Sequence, residues 1–291
     1  MLMDWEGRLP RESAQDYHQR DTAISSSNIK HMDKSPWHYK RFVIDGVSMD
    51  KASLSFGSLA HEIVFEGKIK DIVCLPDFEP IVREVPGKRP GTTKKETLTI
   101  KSQVEAFKEL NKERRIVTRS EFDKLVGMDF SLSCNALAQK YLSDDDMIEE
   151  SFLYHDEKHD LKCRFRPDRL NLERGICVDY KTAASAQEHA FKWAVIRYGY
   201  HISAAHYLAG LERLYPGKIK EFIFIVQETS EPYACGVYKL SETDIQMGRD
   251  IRDHLIRKIQ KHTEADFWPQ YNAELKELLL PDVMNEGAYE A

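Results

Sequence analysis

The residues best able to do chemistry stand in two short pieces of this chain, Arg164-Phe-Arg-Pro-Asp168 and Val178-Asp-Tyr-Lys-Thr182. The second lies in an alternating run from Ile176 to Lys181 that reads as a strand. Strand side chains alternate between faces, so Asp179 and Lys181 point one way and Ile176, Val178 and Tyr180 the other, into a core. Asp168 arrives from the preceding strand. Two carboxylates and an ammonium are the minimum for divalent-metal hydrolysis of a phosphodiester, which needs an activated water and neutralisation of charge on the phosphate. Magnesium takes oxygen ligands and keeps several waters. Asp168, Asp179 and the Tyr180 carbonyl would supply protein oxygens. Lys181 would orient or deprotonate the attacking water, helped by a pKa that partial desolvation can lower. The alternative is an Asp179–Lys181 ion pair with no chemistry.

Further candidates lie on other elements. His61 closes the apolar segment Phe56-Gly-Ser-Leu-Ala-His61, four residues after Gly57 and so on its face of a helix. It is a metal ligand, a phosphate contact or a hydrogen-bonded core histidine. Glu150 opens a strand, as a further acidic residue of the site or as an exposed strand end. Tyr200, His201, Ser203, His206 and Tyr207 put polar groups into an apolar helix, where they line a groove or satisfy core hydrogen bonds. His155 to Asp160 reads as a solvated hairpin turn. Arg83, Lys88, Arg89, Lys94, Lys95 and Lys101, interleaved with Pro and Gly, form a basic loop for DNA phosphates or a solvated loop. Arg164, Arg166 and Arg169 are the remaining candidates for phosphate contact.

The elements that must position these groups form an α/β fold. The 291 residues, 42% hydrophobic and 31% charged, suffice for a full core. The net charge of −6 excludes a generally basic nucleic-acid binder but not a nuclease with a local basic groove. No apolar run reaches the ~18 residues of a membrane span. The N-terminus lacks signal-peptide order. Cys74, Cys134, Cys163, Cys177 and Cys235 are dispersed, which predicts reduced thiols in a cytoplasmic protein and no iron–sulfur cluster. Residues 1–24 read as a poorly packed polar segment. Residues 25–291 read as one domain, with its core in 53–66 and 148–264 and an insertion at 76–142. Strands are predicted at 150–154, 161–172, 176–181, 219–227 and 233–240. Helices are predicted after Ser25, over 53–66, twice in 102–142, over 186–214 with a break near Gly199, from Ser241 to about 262, and at 270–280. This order gives a mixed central sheet flanked by helices, with a helical N-terminal elaboration.

Taken together, these motifs resemble the PD-(D/E)XK nuclease superfamily, with its restriction-endonuclease-like core. Within it, the chain is similar to the RecE-like (exonuclease VIII) phage recombination exonucleases, and more distantly to lambda exonuclease and the RecB nuclease domain. Ser35-Pro-Trp-His-Tyr39, the His61 helix, Glu150-Ser-Phe, Cys163-Arg-Phe-Arg-Pro-Asp168, Asp179-Tyr-Lys-Thr182 and Tyr200 to Tyr207 arrive in family order. The family's glutamine, four residues before Tyr207, is replaced by Ser203. The resemblance implies metal binding by Asp168, Asp179, Tyr180 and His61, with Glu150 and Tyr207 in support. It implies a Mg²⁺-dependent enzyme (Mn²⁺ substituting) that digests linear duplex DNA 5′-to-3′, releases 5′-mononucleotides and leaves a 3′ strand for a RecT-like annealing protein. It also implies a ring-shaped homo-oligomer. The alternatives are a single-strand or structure-specific endonuclease of the same superfamily and a silent module that binds DNA or a recombination protein.

Overall fold

The computed structural model describes residues 2–10, 17, 23–47, 52–86, 93–272 and 274–277, and of residues 52–55 and 94 only the backbone. Strand β1 (Gly7–Arg8) pairs antiparallel with Phe152 and Leu153. Beside it, the Glu6 side chain is buried in a 2.8 Å salt bridge with Arg213. These contacts hold residues 6–8 against the domain, while Leu2 and Met3 stay exposed. The β1 ladder, the Glu6–Arg213 ion pair and the buried Tyr17 and Ala23 tie the segment to the domain.

Ser25 caps helix α1 (Ser26–Lys34) through a capping box with Asn28. Ser35 ends α1 and caps α2 (Pro36–Tyr39), where Pro36 sits in the first turn and its missing N–H costs nothing. Helix α3 (Ala52–Ala60) runs into a wide turn, His61–Phe65, closed by the Glu66 N–H on the His61 carbonyl at 3.1 Å. Strand β2 (Ile72–Cys74) follows.

The basic stretch is a hairpin, not a loop: β3 (Ile81–Pro86) pairs with β4 (Thr93–Leu98). Arg83 meets Glu96 across the pair at 3.1 Å. The segment after it forms three helices and a strand where two helices are predicted. These are α4 (Ile100–Leu110), β5 (Arg115–Val117) paired with β2, α5 (Arg119–Cys134) and α6 (Ala136–Tyr141). Asn135 separates the last two because its side chain accepts the Ala138 N–H and starts a new helix.

Strands β6 (Met147–Ile148), β7 (Phe152–Asp156) and β8 (Leu161–Phe165) come next. The single strand predicted over 161–172 is broken at Pro167, which has no N–H for a ladder. Strand β9 (Arg169–Asn171) begins beyond it in a different sheet. Strand β10 (Ile176–Ala183) leads to α7 (Glu188–Tyr198) and α8 (Tyr200–Leu214). Gly199 joins these helices in the left-handed conformation, φ 62°. Strands β11 (Glu221–Glu228) and β12 (Cys235–Tyr238) and helix α9 (Glu242–Ala265), capped by Ser241, complete the fold. The helix predicted over 270–280 is absent from its described residues. Tyr271 and Leu275 there are exposed and offer no buried face to hold one. No helix among the described residues is long and apolar enough to cross a membrane.

The central sheet is mixed, in the order β12-β11-β10-β9-β6, with β10 and β11 parallel. The parallel pair is covered on both faces, as such pairs require. Ile176, Val178, Tyr180, Ile223 and Ile225 pack with α5 and the 59–65 segment. Cys177, Phe222, Phe224 and Val226 pack with α7 and α8. A smaller sheet, β1-β7-β8, lies against α8.

Between α8, α9 and β7 lies a buried polar network. Arg252 pairs with Asp156, donates to the Tyr154 hydroxyl at 3.0 Å and to His206 Nδ1 at 3.2 Å. His206 Nε2 donates to the Arg164 carbonyl at 2.9 Å. These bonds assign His206 as neutral, because Nδ1 must stay a lone pair to accept from a guanidinium. Burial, and then the Arg252 charge, push His206 down to about 3. The unfolded chain, with an ordinary histidine near 6.5, binds a proton that the folded one refuses. Stability should therefore fall as pH drops from about 6.5 toward 3. Urea melts across this range should show the slope, and His206→Gln should reduce it.

Candidate active site

The site forms where β9 leaves β10. The two strands pair only at Ile176–Asn171, Cys177–Leu170 and Val178–Arg169. Beyond that point the Tyr180 N–H has no partner in β9. The Asp168 side chain replaces it, accepting the Tyr180 N–H through Oδ2 at 2.6 Å. The Pro167 break thus directs Asp168 onto β10. On β10, Asp179 is buried and accepts from Lys181 Nζ at 2.7 Å. The same ammonium donates to the Tyr180 carbonyl at 3.3 Å.

His61 reaches these residues from the end of α3. A Cβ at Gly57 would sit 3.2 Å from the Thr182 hydroxyl, so glycine lets the helix approach β10 closely. His61 Nε2 lies 3.2 Å from Asp168 Oδ2 and 3.4 Å from Glu149 Oε1, and Nδ1 lies 3.7 Å from Glu66 Oε1. Phe65 stacks on Tyr180 at 4.8 Å and floors this side of the site.

Two acidic residues at the site were not singled out from the sequence. Glu66 is five residues from His61, off its face in a regular helix, but the wide turn brings it beneath the ring. Glu149, rather than the expected Glu150, faces His61. Glu149 has a positive φ of 53°, so strand alternation does not extend back to it. Glu150 instead lies 4.0 Å from Arg8. Lys30 of α1 is a third addition. Its ammonium lies over the Tyr200 ring at 5.9 Å, and Lys181 lies over the same ring at 5.3 Å. No local sequence signal marks Lys30, because the fold alone brings it there.

The expected phosphate contacts divide. Arg164 and Arg166 are buried, with the Tyr17 ring 4.9 Å and 4.5 Å from their guanidinium carbons. Arg166 also donates to Ser151 at 2.9 Å. Arg169 donates to the Phe65 carbonyl at 2.6 Å and the Ser143 carbonyl at 3.2 Å. These three brace the site from within; Arg164 and Arg166 are buried, and Arg169 is only partly exposed. Arg83 and Lys95 are exposed on the β3–β4 hairpin. Lys88, Arg89 and the Lys94 side chain lie outside the described residues. Tyr207 packs on Phe165 and Phe222, in the core rather than on a groove.

The charges bear on each other. Burial raises Asp168, but His61, Lys181 and the Tyr180 N–H outweigh it and hold this carboxyl at about 2. Burial raises Asp179. Burial and then the Asp168 charge raise Glu149 to about 7. Burial lowers His61, but Asp168, Glu66 and Glu149 together raise it to about 10. Lys181 departs from expectation. Burial lowers it, yet Asp179 and Asp168 leave it well above the ordinary lysine value.

These residues fit a divalent cation. Asp179 Oδ2 is buried with no hydrogen-bond partner, which costs free energy unless a cation satisfies it. Ligand atoms of His61, Glu66 and Glu149 lie within 4.8 Å of one another. An oxygen-rich set suits Mg²⁺ or Mn²⁺, and His61, held protonated by its acidic neighbours, would join it only on losing that proton.

Residues 25–278 match the family described as a PDDEXK-like domain of unknown function (DUF3799). The structure is similar to a solved one, that of a candidate exonuclease from Eubacterium rectale, with a TM-score of 0.60 and 14% identity over 96% of this chain and 100% of that one. At that identity the likeness is one of fold, and it agrees with a PD-(D/E)XK core. No curated protein matches the sequence.

Calorimetric titration with Mn²⁺ at pH 7, in two buffers of different ionisation enthalpy, should show proton release, because Glu149 titrates near pH 7 and must bind as a carboxylate. Asp179→Asn and Glu149→Gln should weaken binding about 10–100-fold. Glu150→Gln should leave it unchanged.

Proposed function

Because the chain belongs to the PDDEXK-like DUF3799 family, we propose that it is a Mg²⁺-dependent DNA exonuclease acting 5′-to-3′ on linear duplex, with Mn²⁺ able to substitute. The observation that carries the reading is the convergence of Asp168, Asp179, the Tyr180 carbonyl and Lys181 at the point where β9 leaves β10. Asp168, Asp179, Glu149 and the Tyr180 carbonyl would hold the ion, with His61 and Glu66 beside them. A divalent ion bound there supplies Lewis-acid polarisation of the phosphate and a more acidic water.

The chain's own residues do the rest. The Tyr180 N–H and His61 fix Asp168. Lys181 uses two of its three N–H donors on Asp179 and the Tyr180 carbonyl. The third is left to orient the attacking water or a phosphate oxygen. A lysine between two carboxylates keeps its proton, so its role is orientation rather than proton abstraction. Phe65 and Tyr180, stacked beneath the site, limit water on that side. The β3–β4 hairpin, with exposed Arg83 and Lys95, is the part of the surface proposed to meet the DNA backbone.

Release of 5′-mononucleotides, a ring-shaped homo-oligomer enclosing DNA, a RecT-like annealing partner and a cytoplasmic location belong to the same proposal. They rest on the resemblance of the motifs.

The test is digestion of linear duplex labelled at the 5′ or the 3′ end, with a closed circle alongside. Wild type should release the 5′ label first, leave the circle intact and stop on chelation. Lys181→Ala should lower the rate about 10²–10⁴-fold, and Asp179→Ala should abolish it. Nicking of the circle would make the protein an endonuclease. Absence of any cleavage would refute the reading.

A further inference from the structure

The strongest unexplained group near the site is Lys30. It belongs to α1, outside the sheet that carries the acidic residues. Its stem passes Gly199, where a Cβ would lie 3.0 Å from Lys30 Cδ and 3.3 Å from Cγ. Glycine there serves both the left-handed turn between α7 and α8 and the passage of this side chain. The ammonium reaches the Tyr200 ring, which Lys181 also approaches. The two differ in what balances them. Lys181 has Asp179 at 2.7 Å. Lys30 makes no hydrogen bond or ion pair to any described residue.

A half-buried ammonium with no anion, beside a second ammonium, destabilises the folded protein. Burial and the Lys181 charge accordingly push Lys30 down to about 8, against the pull of Asp179. Asp168 is engaged by His61 and one oxygen of Asp179 by Lys181, while the other Asp179 oxygen, though its charge attracts Lys30, makes no hydrogen bond to it. Among the described residues no other anion stands beside Lys30, and an anion from outside the chain would complete its surroundings. A phosphate group is the anion that a site of this kind receives, and an ammonium binds it as a compact point charge.

We propose that Lys30 is a substrate-binding residue that takes a DNA phosphate next to the acidic cluster, with Tyr200 aligning its ammonium and that of Lys181. Helix α1 would then be part of the site rather than an elaboration of the fold. This inference rests on the nuclease reading above, and its test separates the two.

The variant is Lys30→Met, which keeps an unbranched stem past Gly199 and removes the charge. Binding of a fluorescein-labelled blunt duplex in EDTA would be followed by anisotropy over a range of NaCl concentrations, with thermal melts alongside. Lys30→Met should melt no lower than wild type, since it loses an unpaired charge. Its affinity should fall about tenfold, and the slope of log K against log[salt] should shrink by about 0.9. Lys30→Arg should retain most of both. Wild-type affinity and slope in Lys30→Met, with wild type still cleaving DNA, would overturn the assignment and leave the nuclease reading standing. A weaker affinity with a lower melting temperature and an unchanged slope would also overturn it, by making Lys30 structural. Wild type that neither binds nor cleaves the duplex would overturn both.

Discussion

The hydrogen bond from the Tyr180 N–H to the Asp168 carboxylate is the interaction on which the site depends. A buried strand cannot leave an N–H unpaired without a cost of roughly 1–3 kcal/mol. Here the neighbouring strand ends early, because Pro167 has no N–H to continue the ladder. A side chain takes over the ladder position, and that side chain is a carboxylate. Backbone satisfaction and functional geometry are therefore one requirement. A change at Asp168 removes an anion from the site and also opens an unpaired N–H on a buried strand of the sheet.

The same break explains why charge can accumulate here. Five groups, Asp168, Asp179, Glu149, Glu66 and His61, meet around Tyr180 and Phe65, with Lys181 alongside. Protein partners balance them only in part. Asp168 is well served, by His61 and a backbone N–H. Glu149 is repelled by Asp168 and holds a proton near neutral pH. Asp179 keeps one oxygen unsatisfied. The incomplete balance is localised, and it is what a cation would complete. The network around Arg252 shows the contrast. Asp156, Tyr154 and His206 there bond one another and the backbone, and that cluster holds α9 to β7 and α8. Both regions are buried and polar, and only one leaves an acidic oxygen without a partner.

The packing of β10 and β11 makes the arrangement rigid. Each strand sends alternate residues into two separate apolar clusters, so neither can slip by one residue without reversing both faces. Asp179 and Lys181 consequently keep their register relative to α3 and α8. His61 and Tyr200 approach from those two helices, at the positions where Gly57 and Gly199 permit close contact.

By itself, the sequence determined the strand carrying Asp179 and Lys181 and the face on which they lie. Period-two alternation is a local property, and the residues of β10 carry it plainly. Helix starts were legible for the same reason, since Ser25, Ser35 and Ser241 act on N–H groups two or three residues away. The apolar run of β11 and the break at Gly199 were also legible. Tertiary structure decided which groups join across long separations. It chose Glu149 over Glu150 through one residue with positive φ. It brought Glu66 beneath His61 through a wide turn. It placed Lys30 beside Lys181, and it turned Arg164, Arg166 and Arg169 inward to brace the site. Periodicity reports the face a side chain takes within its own element. It carries no information about which element will stand opposite, and a site assembled from α1, α3, the Pro167 break and β10 is defined by that opposition.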